Sequence, residues 1–361
     1  MSAVVPNANR PVLIMAGGTG GHIFPGLAVA AELAARRIPV IWLGAEGGLE
    51  TRLVPRQRIA LETLRIGGMR GKGLLTLLRT PFRLARAILG ARALLKRHAP
   101  RSVLSMGGYA AAPGGIAARL ARIPLIVHEQ NSIPGVTNRL LVRFAARVLT
   151  GFREVFPGAE WVGNPVRASI SALPAPATRY AGRAGPLHLL VLGGSQGAQS
   201  LNSALPEVLR RRGSHLACVV RHQCGEKHFD KARVAYLSAG IEAEVVPFAD
   251  DMAEAYAWAD LAICRAGALT LAELAAAGVP AILVPFPHAV DDHQTRNAEA
   301  MVEAGAARLV PEGDDFVKRL GAAFEELGDR ARLLKMAEAA RTQAKPHAAG
   351  RIADVCLEVG A

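Results

Sequence analysis

The residues most suited to chemistry lie in short polar or glycine-rich stretches that directly follow apolar runs. Gly17-Gly18-Thr19-Gly20-Gly21-His22 follows Val12-Leu13-Ile14-Met15-Ala16 and precedes Phe24 to Ala30. Strand, glycine turn and helix is the natural reading. Glycines let the backbone bend tightly near a ligand, and a helix start offers free N–H groups to an anion. Ile23 stands where a dinucleotide fingerprint needs its last glycine, and no Gly-Lys-Ser/Thr follows. His22 adds an imidazole that titrates near neutral pH, which suits a general base. A tight strand–helix connection alone would also use such glycines.

The pattern recurs. Leu187 to Leu192 enters Gly193-Gly194-Ser195-Gln196-Gly197-Ala198, Val103 to Met106 enters Gly107-Gly108-Tyr109, and Leu125 to Val127 enters His128-Glu129-Gln130-Asn131. Ligands of parallel sheets bind beyond the carboxyl ends of the strands, so His128, Glu129 and Asn131 are site candidates. Alternatively, His128 satisfies a buried carbonyl and Asn131 caps a helix from Gly135. Leu261 to Cys264 meets Arg265 to Glu273. There Thr270 and Glu273 have capping-box spacing, and Glu273 also suits a ribose diol. Arg167, after Trp161 to Val166, fits either a phosphate or a carboxylate. Asp291, Asp292 and His293 lack a diagnostic ligand spacing, and Asp-x-Asp is absent, so no metal site is expected.

Two glycine starts half a chain apart predict two similar α/β halves, and alternating strands and helices predict parallel sheets. The 361 residues suffice for two cores; half are hydrophobic and a fifth charged. The four cysteines, at 218, 224, 264 and 356, form no disulfide or zinc framework. No signal peptide or membrane span is expected: the first apolar run is short, and prolines break the run from Leu274 to Val290. Residues 171–186 read as a connector, and 331–358 as an Ala-rich helical region broken near Pro346 and Gly350.

Charge is uneven. Residues 1–165 hold 22 Lys/Arg against 7 Asp/Glu, the remainder 21 against 23, and no acid lies between Glu62 and Glu129. That field favours an anionic partner. Leu74, Leu75, Leu77 and Leu78 precede Thr80-Pro81, which reads as a helix cap and first position. Leu84, Ala85, Ile88, Ala91 and Leu95 should form the core face. Arg79, Arg83, Arg86, Arg92, Lys96 and Arg97 beside Leu74, Leu75, Leu78 and Phe82 suit either a membrane surface or a basic solvated face. Aromatics are only 5% and no nucleic-acid motif occurs, so nucleic acid is not an expected partner.

Taken together, the segments 17–22, 107–109, 128–131, 163–167, 193–198, 248–252, 264–273 and 284–297 span nearly the whole chain, and in order they closely resemble the N-acetylglucosaminyltransferases of peptidoglycan synthesis. The resemblance implies a GT-B fold: two Rossmann-like α/β domains with parallel sheets facing a central cleft. It implies an N-terminal acceptor and membrane-docking domain (1–165), a C-terminal UDP-GlcNAc-binding domain (166–345), and a last helix (346–361) packing back on the first domain. It also implies inverting transfer of GlcNAc from UDP-GlcNAc to the 4-hydroxyl of MurNAc in undecaprenyl-linked lipid I, without cofactor or metal. Thr19, Gly20, Gly21, Asn131, Arg167, Ser195, Gln196, Ala249, Ala268, Leu269, Thr270, Glu273 and Gln294 would then contact the donor. Gly18, Gly107, Gly108 and Tyr109 would face the acceptor. His22 is the preferred base, with His128 and Glu129 as alternatives. The place of action would be the cytoplasmic face of the bacterial inner membrane, peripherally bound to its anionic surface, with divisome or other cell-wall-synthesis proteins as partners. The rival reading is another GT-B enzyme, such as a UDP-GlcNAc 2-epimerase or a glycolipid synthase.

Overall fold

A computed structural model describes residues 10–66, 74–194, 197–212 and 217–360. The chain divides into two compact units, one running to Arg167 and resuming at Pro346, the other Ala168–Lys345.

In the first unit, β1 (Val12–Ala16), α1 (Gly20–Ala35), β2 (Val40–Ala45), α2 (Glu50–Leu53), β3 (Ala60–Leu64), α3 (Leu74–His98), β4 (Ser102–Gly107), α4 (Ala111–Leu120), β5 (Leu125–Glu129), α5 (Val136–Leu141), β6 (Arg147–Thr150) and β7 (Glu160–Trp161) follow in order. The second unit holds α6 (Ala168–Ser171), α7 (Pro176–Tyr180), β8 (Leu187–Leu192), α8 (Gln199–Arg212), β9 (Cys218–Gln223), α9 (Phe229–Ala239), β10 (Ala243–Val246), α10 (Met252–Trp258), β11 (Leu261–Cys264), α11 (Ala268–Ala277), β12 (Ala281–Leu283), α12 (His293–Glu303), β13 (Ala307–Leu309), α13 (Phe316–Glu326) and α14 (Arg330–Thr342). The last helix, α15 (Ala348–Glu358), belongs to the first unit.

Both sheets are parallel and doubly wound, with orders β3-β2-β1-β4-β5-β6-β7 and β10-β9-β8-β11-β12-β13. The strand order reverses at β1/β4 and at β8/β11, and such switch points open the ligand crevices of these sheets. Every residue of β1 is buried, as parallel strands covered on both faces must be. Val12, Ile14 and Ala16 pack with α1 and α15, while Leu13 and Met15 pack with α3 and α4. This is the two-residue alternation of a strand. Each such buried Leu or Ile is worth about 1.5–3 kcal/mol over exposure.

Helix α15 is pinned to the first unit. Ser102 Oγ donates to the Cys356 carbonyl at 2.8 Å, Arg351 Nε meets Glu160 Oε1 at 2.7 Å, and Arg36 pairs with Asp354.

Several elements depart from the sequence reading. The helix expected from Pro81 starts at Leu74 and carries Pro81 inside it. Its packed face is Ala87, Ala91 and Leu95, whereas Leu84 and Ala85 are exposed, so among the described side chains, from Pro81 on, packing begins at Ala87. The connector 171–186 is folded. It contains α6 and α7, Tyr180 is buried with its hydroxyl on the Asp260 carbonyl at 2.5 Å, and Arg183 pairs with Asp260. Of the stretch that leads to Arg167, only Trp161 is in a strand, the two-residue β7.

Candidate active site

In the first unit, Thr19 is the N-cap of α1, so Gly20, Gly21 and His22 form the helix's first turn at the carboxyl end of β1. Gly18 has φ +88° and Gly108 φ +92°. A Cβ on Gly108 would sit 2.4 Å from the Gly17 carbonyl oxygen, so the turns after β1 and β4 interlock backbone against backbone. The half-exposed Tyr109 ring stands over Gly18, 3.8 Å from where a Cβ would lie.

His22 is partly buried beside Gly107. Its Nδ1 lies 3.3 Å from the Gly17 carbonyl and 3.4 Å from Thr19 Oγ1. A carbonyl can only accept, so Nδ1 carries the proton and Nε2 keeps its lone pair. Burial pushes the imidazole below its ordinary pKa; Glu129, the Gly17 carbonyl and Glu50 pull it back. A neutral ring with an open Nε2 is the state a general base requires.

The other two proton-transfer candidates have different work. Strand β5 runs through Glu129, so His128 and Glu129 end the strand rather than follow it. His128 is fully buried; Nδ1 takes the Gln130 amide at 3.0 Å and Nε2 donates to the Gly163 carbonyl at 2.9 Å. Burial lowers its pKa to about 4, and no ring nitrogen is left for a substrate. Glu129 Oε1 accepts from Asn131 N and Nδ2 at 3.0 and 3.2 Å, and Oε2 from Gly135 N and Asn138 Nδ2 at 3.0 and 2.9 Å. Four donors saturate this carboxylate, which shapes the turn 130–135. The start of α5 is thus tied by Glu129. Arg167 lies with its guanidinium 5.4 Å from the Phe24 ring centre, beside the first turns of α1.

In the second unit, Gly267 is the N-cap of α11, so Ala268, Leu269 and Thr270 form its first turn at the carboxyl end of the switch strand β11. Thr270 is therefore inside the helix, and the capping box does not form. Glu273 is buried one turn on, and its Oε2 accepts from the Tyr256 hydroxyl at 3.1 Å. Ala249 precedes α10, whose N-cap Asp251 accepts from Glu254 N at 3.0 Å. Gln294, in the first turn of α12, accepts at Oε1 from Phe286 N at 2.9 Å, tying that helix to the loop after β12. Ser195 and Gln196 lie outside the described residues, as do the side chains of Leu74, Leu75, Leu78 and Arg79 and the segment 67–73. Phe82 is 80% exposed on α3, with Arg83 exposed beside it. Among the described residues no three His, Cys, Asp or Glu side chains are grouped to hold a metal.

Two side chains at these edges escaped the sequence reading. Glu50 is fully buried behind the first glycine turn. Arg265, next after β11, pairs with Glu312 and donates to Ser200 Oγ at 3.0 Å and the Pro285 carbonyl at 3.1 Å. The clustering of glycines before Glu50 and the position of Arg265 at a strand end were the available signals.

Residues 12–150 match the glycosyltransferase family 28 N-terminal domain, and residues 188–352 match the family 28 C-terminal domain. Over 350 residues the chain is 60% identical to the UDP-N-acetylglucosamine–N-acetylmuramyl-(pentapeptide) pyrophosphoryl-undecaprenol N-acetylglucosamine transferase of Xanthomonas campestris pv. campestris (strain 8004), covering 97% of this chain and 82% of that one. The transferase of the same name from Xylella fastidiosa (strain M12) is 57% identical, covering 99% of both chains. The crystal structure of Acinetobacter baumannii MurG superposes with a TM-score of 0.82 at 39% identity, covering 97% of this chain and 99% of that one. With two doubly wound parallel domains, a GT-B-like fold and this likeness over nearly its whole length, the chain belongs to glycosyltransferase family 28, among the N-acetylglucosamine transferases of the MurG type.

Proposed function

We infer that this chain is an inverting glycosyltransferase that moves GlcNAc from UDP-GlcNAc to the 4-hydroxyl of MurNAc in lipid I, undecaprenyl-pyrophosphoryl-MurNAc-pentapeptide, to form lipid II. The observation that carries this is 60% identity over 97% of the chain to a transferase of that name.

The second unit takes the donor. Ala268 to Thr270 present the free N–H groups of a helix start, Glu273 accepts both ribose hydroxyls, the Ala249 backbone pairs with uracil, Gln294 holds the GlcNAc hydroxyls, and Ser195 and Gln196 receive the diphosphate. The first unit supplies Thr19, Gly20, Gly21, Asn131 and Arg167 to the donor. Gly18, Gly107, Gly108 and Tyr109 serve the acceptor. His22 Nε2 removes the proton of the 4-hydroxyl as that oxygen bonds to C1 of GlcNAc. The bond from C1 to the UDP oxygen breaks, and its electron pair leaves on UDP. Fixed dipoles and cations that stabilise the growing charge on UDP lower the barrier.

Docking to the cytoplasmic face of the inner membrane falls to α3, where Phe82, Leu84 and Leu89 are exposed among Arg83, Arg86, Arg92, Lys96 and Arg97. No helix among the described residues is long and apolar enough to cross a membrane. An apolar and basic exposed helix suits interfacial binding. Co-sedimentation with anionic but not zwitterionic vesicles is expected; equal binding to both would remove this role.

The deciding experiment supplies radiolabelled UDP-GlcNAc, a short-chain lipid I analogue and EDTA. Labelled lipid product is expected. Release of UDP without acceptor, and no lipid product, would transfer the chain to an epimerase-like reading.

A further inference from the structure

Glu50 is a carboxylate enclosed in the first unit, at the start of α2 and behind the turn that carries His22. Its Oε1 accepts from Ala45 N at 2.7 Å and its Oε2 from Gly18 N at 3.2 Å. Three glycines on two segments make room for it, Gly17 after β1, and Gly44 and Gly48 on the stretch from the end of β2 to α2. A Cβ on Gly17 would lie 2.3 Å from Oε1, one on Gly44 2.5 Å from Cγ, and one on Gly48 2.4 Å from Oε2. Among the described residues no cation pairs with it. Taking such a carboxylate out of water is costly, and two backbone N–H groups offset only part of that cost.

The N–H of Gly18 and the C=O of Gly17 belong to one peptide group. The carboxylate accepts from one end of it, and the His22 Nδ1–H is held by the other. We propose that Glu50 is a positioning residue that acts on His22 through the Gly17–Gly18 peptide. This rests on the reading of His22 as base.

Its physics is that of linked hydrogen bonds, which polarise one another. A charge-assisted bond at Gly18 N–H draws electron density toward the Gly17 oxygen, and that oxygen grips Nδ1–H more strongly. The imidazole is thereby held in the tautomer whose Nε2 can accept a proton. When Nε2 takes the proton of the acceptor hydroxyl, the new positive charge is shared along the same chain toward the carboxylate. Glu129 also faces His22, but its four donors already occupy both oxygens. A carboxamide at position 50 cannot do the same work. It offers one acceptor where two N–H groups point, and its NH2 must face one of them.

The test is a double-mutant cycle of Glu50→Gln and His22→Ala, read as kcat for GlcNAc transfer at saturating UDP-GlcNAc and lipid I analogue. Glu50→Gln is expected to lower kcat about tenfold or more, with KM for UDP-GlcNAc within about twofold. In the His22→Ala background the same change is expected to lower kcat no further, because the route through the imidazole is gone. Equal losses in both backgrounds would overturn the proposal while leaving His22 as base. Normal turnover of His22→Ala would overturn the base reading itself. A second measurement needs no Glu50 variant. In 15N-histidine-labelled wild-type protein, with the His22 signals identified by their loss in His22→Gln, Nδ1 is expected protonated and Nε2 unprotonated. The opposite tautomer would overturn the proposal.

Discussion

The two units share one order over six strands, with β7 added at the edge of the first, and each places a glycine turn and a helix start after a strand at the switch point, yet they set different charged side chains at these edges. Behind the turn after β1 stands Glu50, and both Glu50 and Glu129, the last residue of β5, act electrostatically on the His22 imidazole. In the second unit the residue that follows β11 is Arg265, bound to Ser200 and Glu312. The turn after β8 is backed mainly by main chain: a Cβ on Gly197 would meet the Cys224 carbonyl at 2.4 Å, and Asn202 Nδ2 holds that same carbonyl at 3.1 Å. A carboxylate near a base favours its protonated form, whereas a cation near a diphosphate favours binding and departure of the anion. On the proposed assignment, one scaffold would serve proton transfer in one unit and anion handling in the other, with the side chains beneath the turn making the difference.

The sharpest way to break this division is kinetic. His22→Ala should lower kcat by about 10²–10⁴-fold, the span of general base catalysis, with KM for UDP-GlcNAc little changed. If KM rose instead, the imidazole would belong to donor binding and the two units would not differ as described.

Acid provides the next test, on a feature the units share. His128 and His222 are fully buried, and burial lowers each to a pKa of about 4. Between about pH 6.5 and 4 the unfolded chain binds protons at these positions that the folded chain does not. Stability is therefore full above pH 6.5 and falls as the pH drops toward 4, by about 3 kcal/mol for each histidine. Denaturant unfolding against pH should show the slope, and hydrogen exchange should show it in β5 and β9 alike. Loss confined to one unit would mean that their cores are not equivalent.

A smaller effect probes the second unit. Glu273→Ala should raise KM for UDP-GlcNAc about 10–100-fold, the worth of a lost charged hydrogen bond, with kcat within a few-fold. A fall in kcat without change in KM would place Glu273 among the groups that act on the transition state.

Much of this frame was legible in the chain itself. Strands buried on both faces read as unbroken apolar runs, so β1, β8 and β11 and the polar stretches after them stand out. What escaped depends on partners remote in sequence. Glu50 follows Glu46-Gly47-Gly48-Leu49 and looks like part of a solvated loop; its meaning comes from Gly18, 32 residues away. His128 and Glu129 looked like a ligand-facing tetrad because buried polar residues and site residues share a composition, and only their partners tell them apart. The Thr270–Glu273 spacing fits a capping box, but the helix begins earlier, at Gly267, where an extended N-cap suffices. Pro81 suggested a helix start, yet seven helical residues precede it.

The smallest predicted effect separates a general loosening of the first turn from the specific route through Glu50. Trp42 Nε1 donates to the Ala16 carbonyl at 2.8 Å, at the end of β1 and one residue before the glycines, and its ring fills the space beside Gly26. Trp42→Phe removes the donor and part of the indole, leaving a buried carbonyl to find another partner and a small cavity beside Gly26. The cost is about 2 kcal/mol, or a fall of roughly 4–8 °C in Tm. The Gly17–Gly18 peptide keeps both its hydrogen bonds in this variant, so kcat should change less than about threefold. If Trp42→Phe slowed transfer as much as Glu50→Gln, any disturbance beneath the turn would be enough. The carboxylate would then have no special claim on His22, and the contrast between the two units would reduce to how firmly each turn is held.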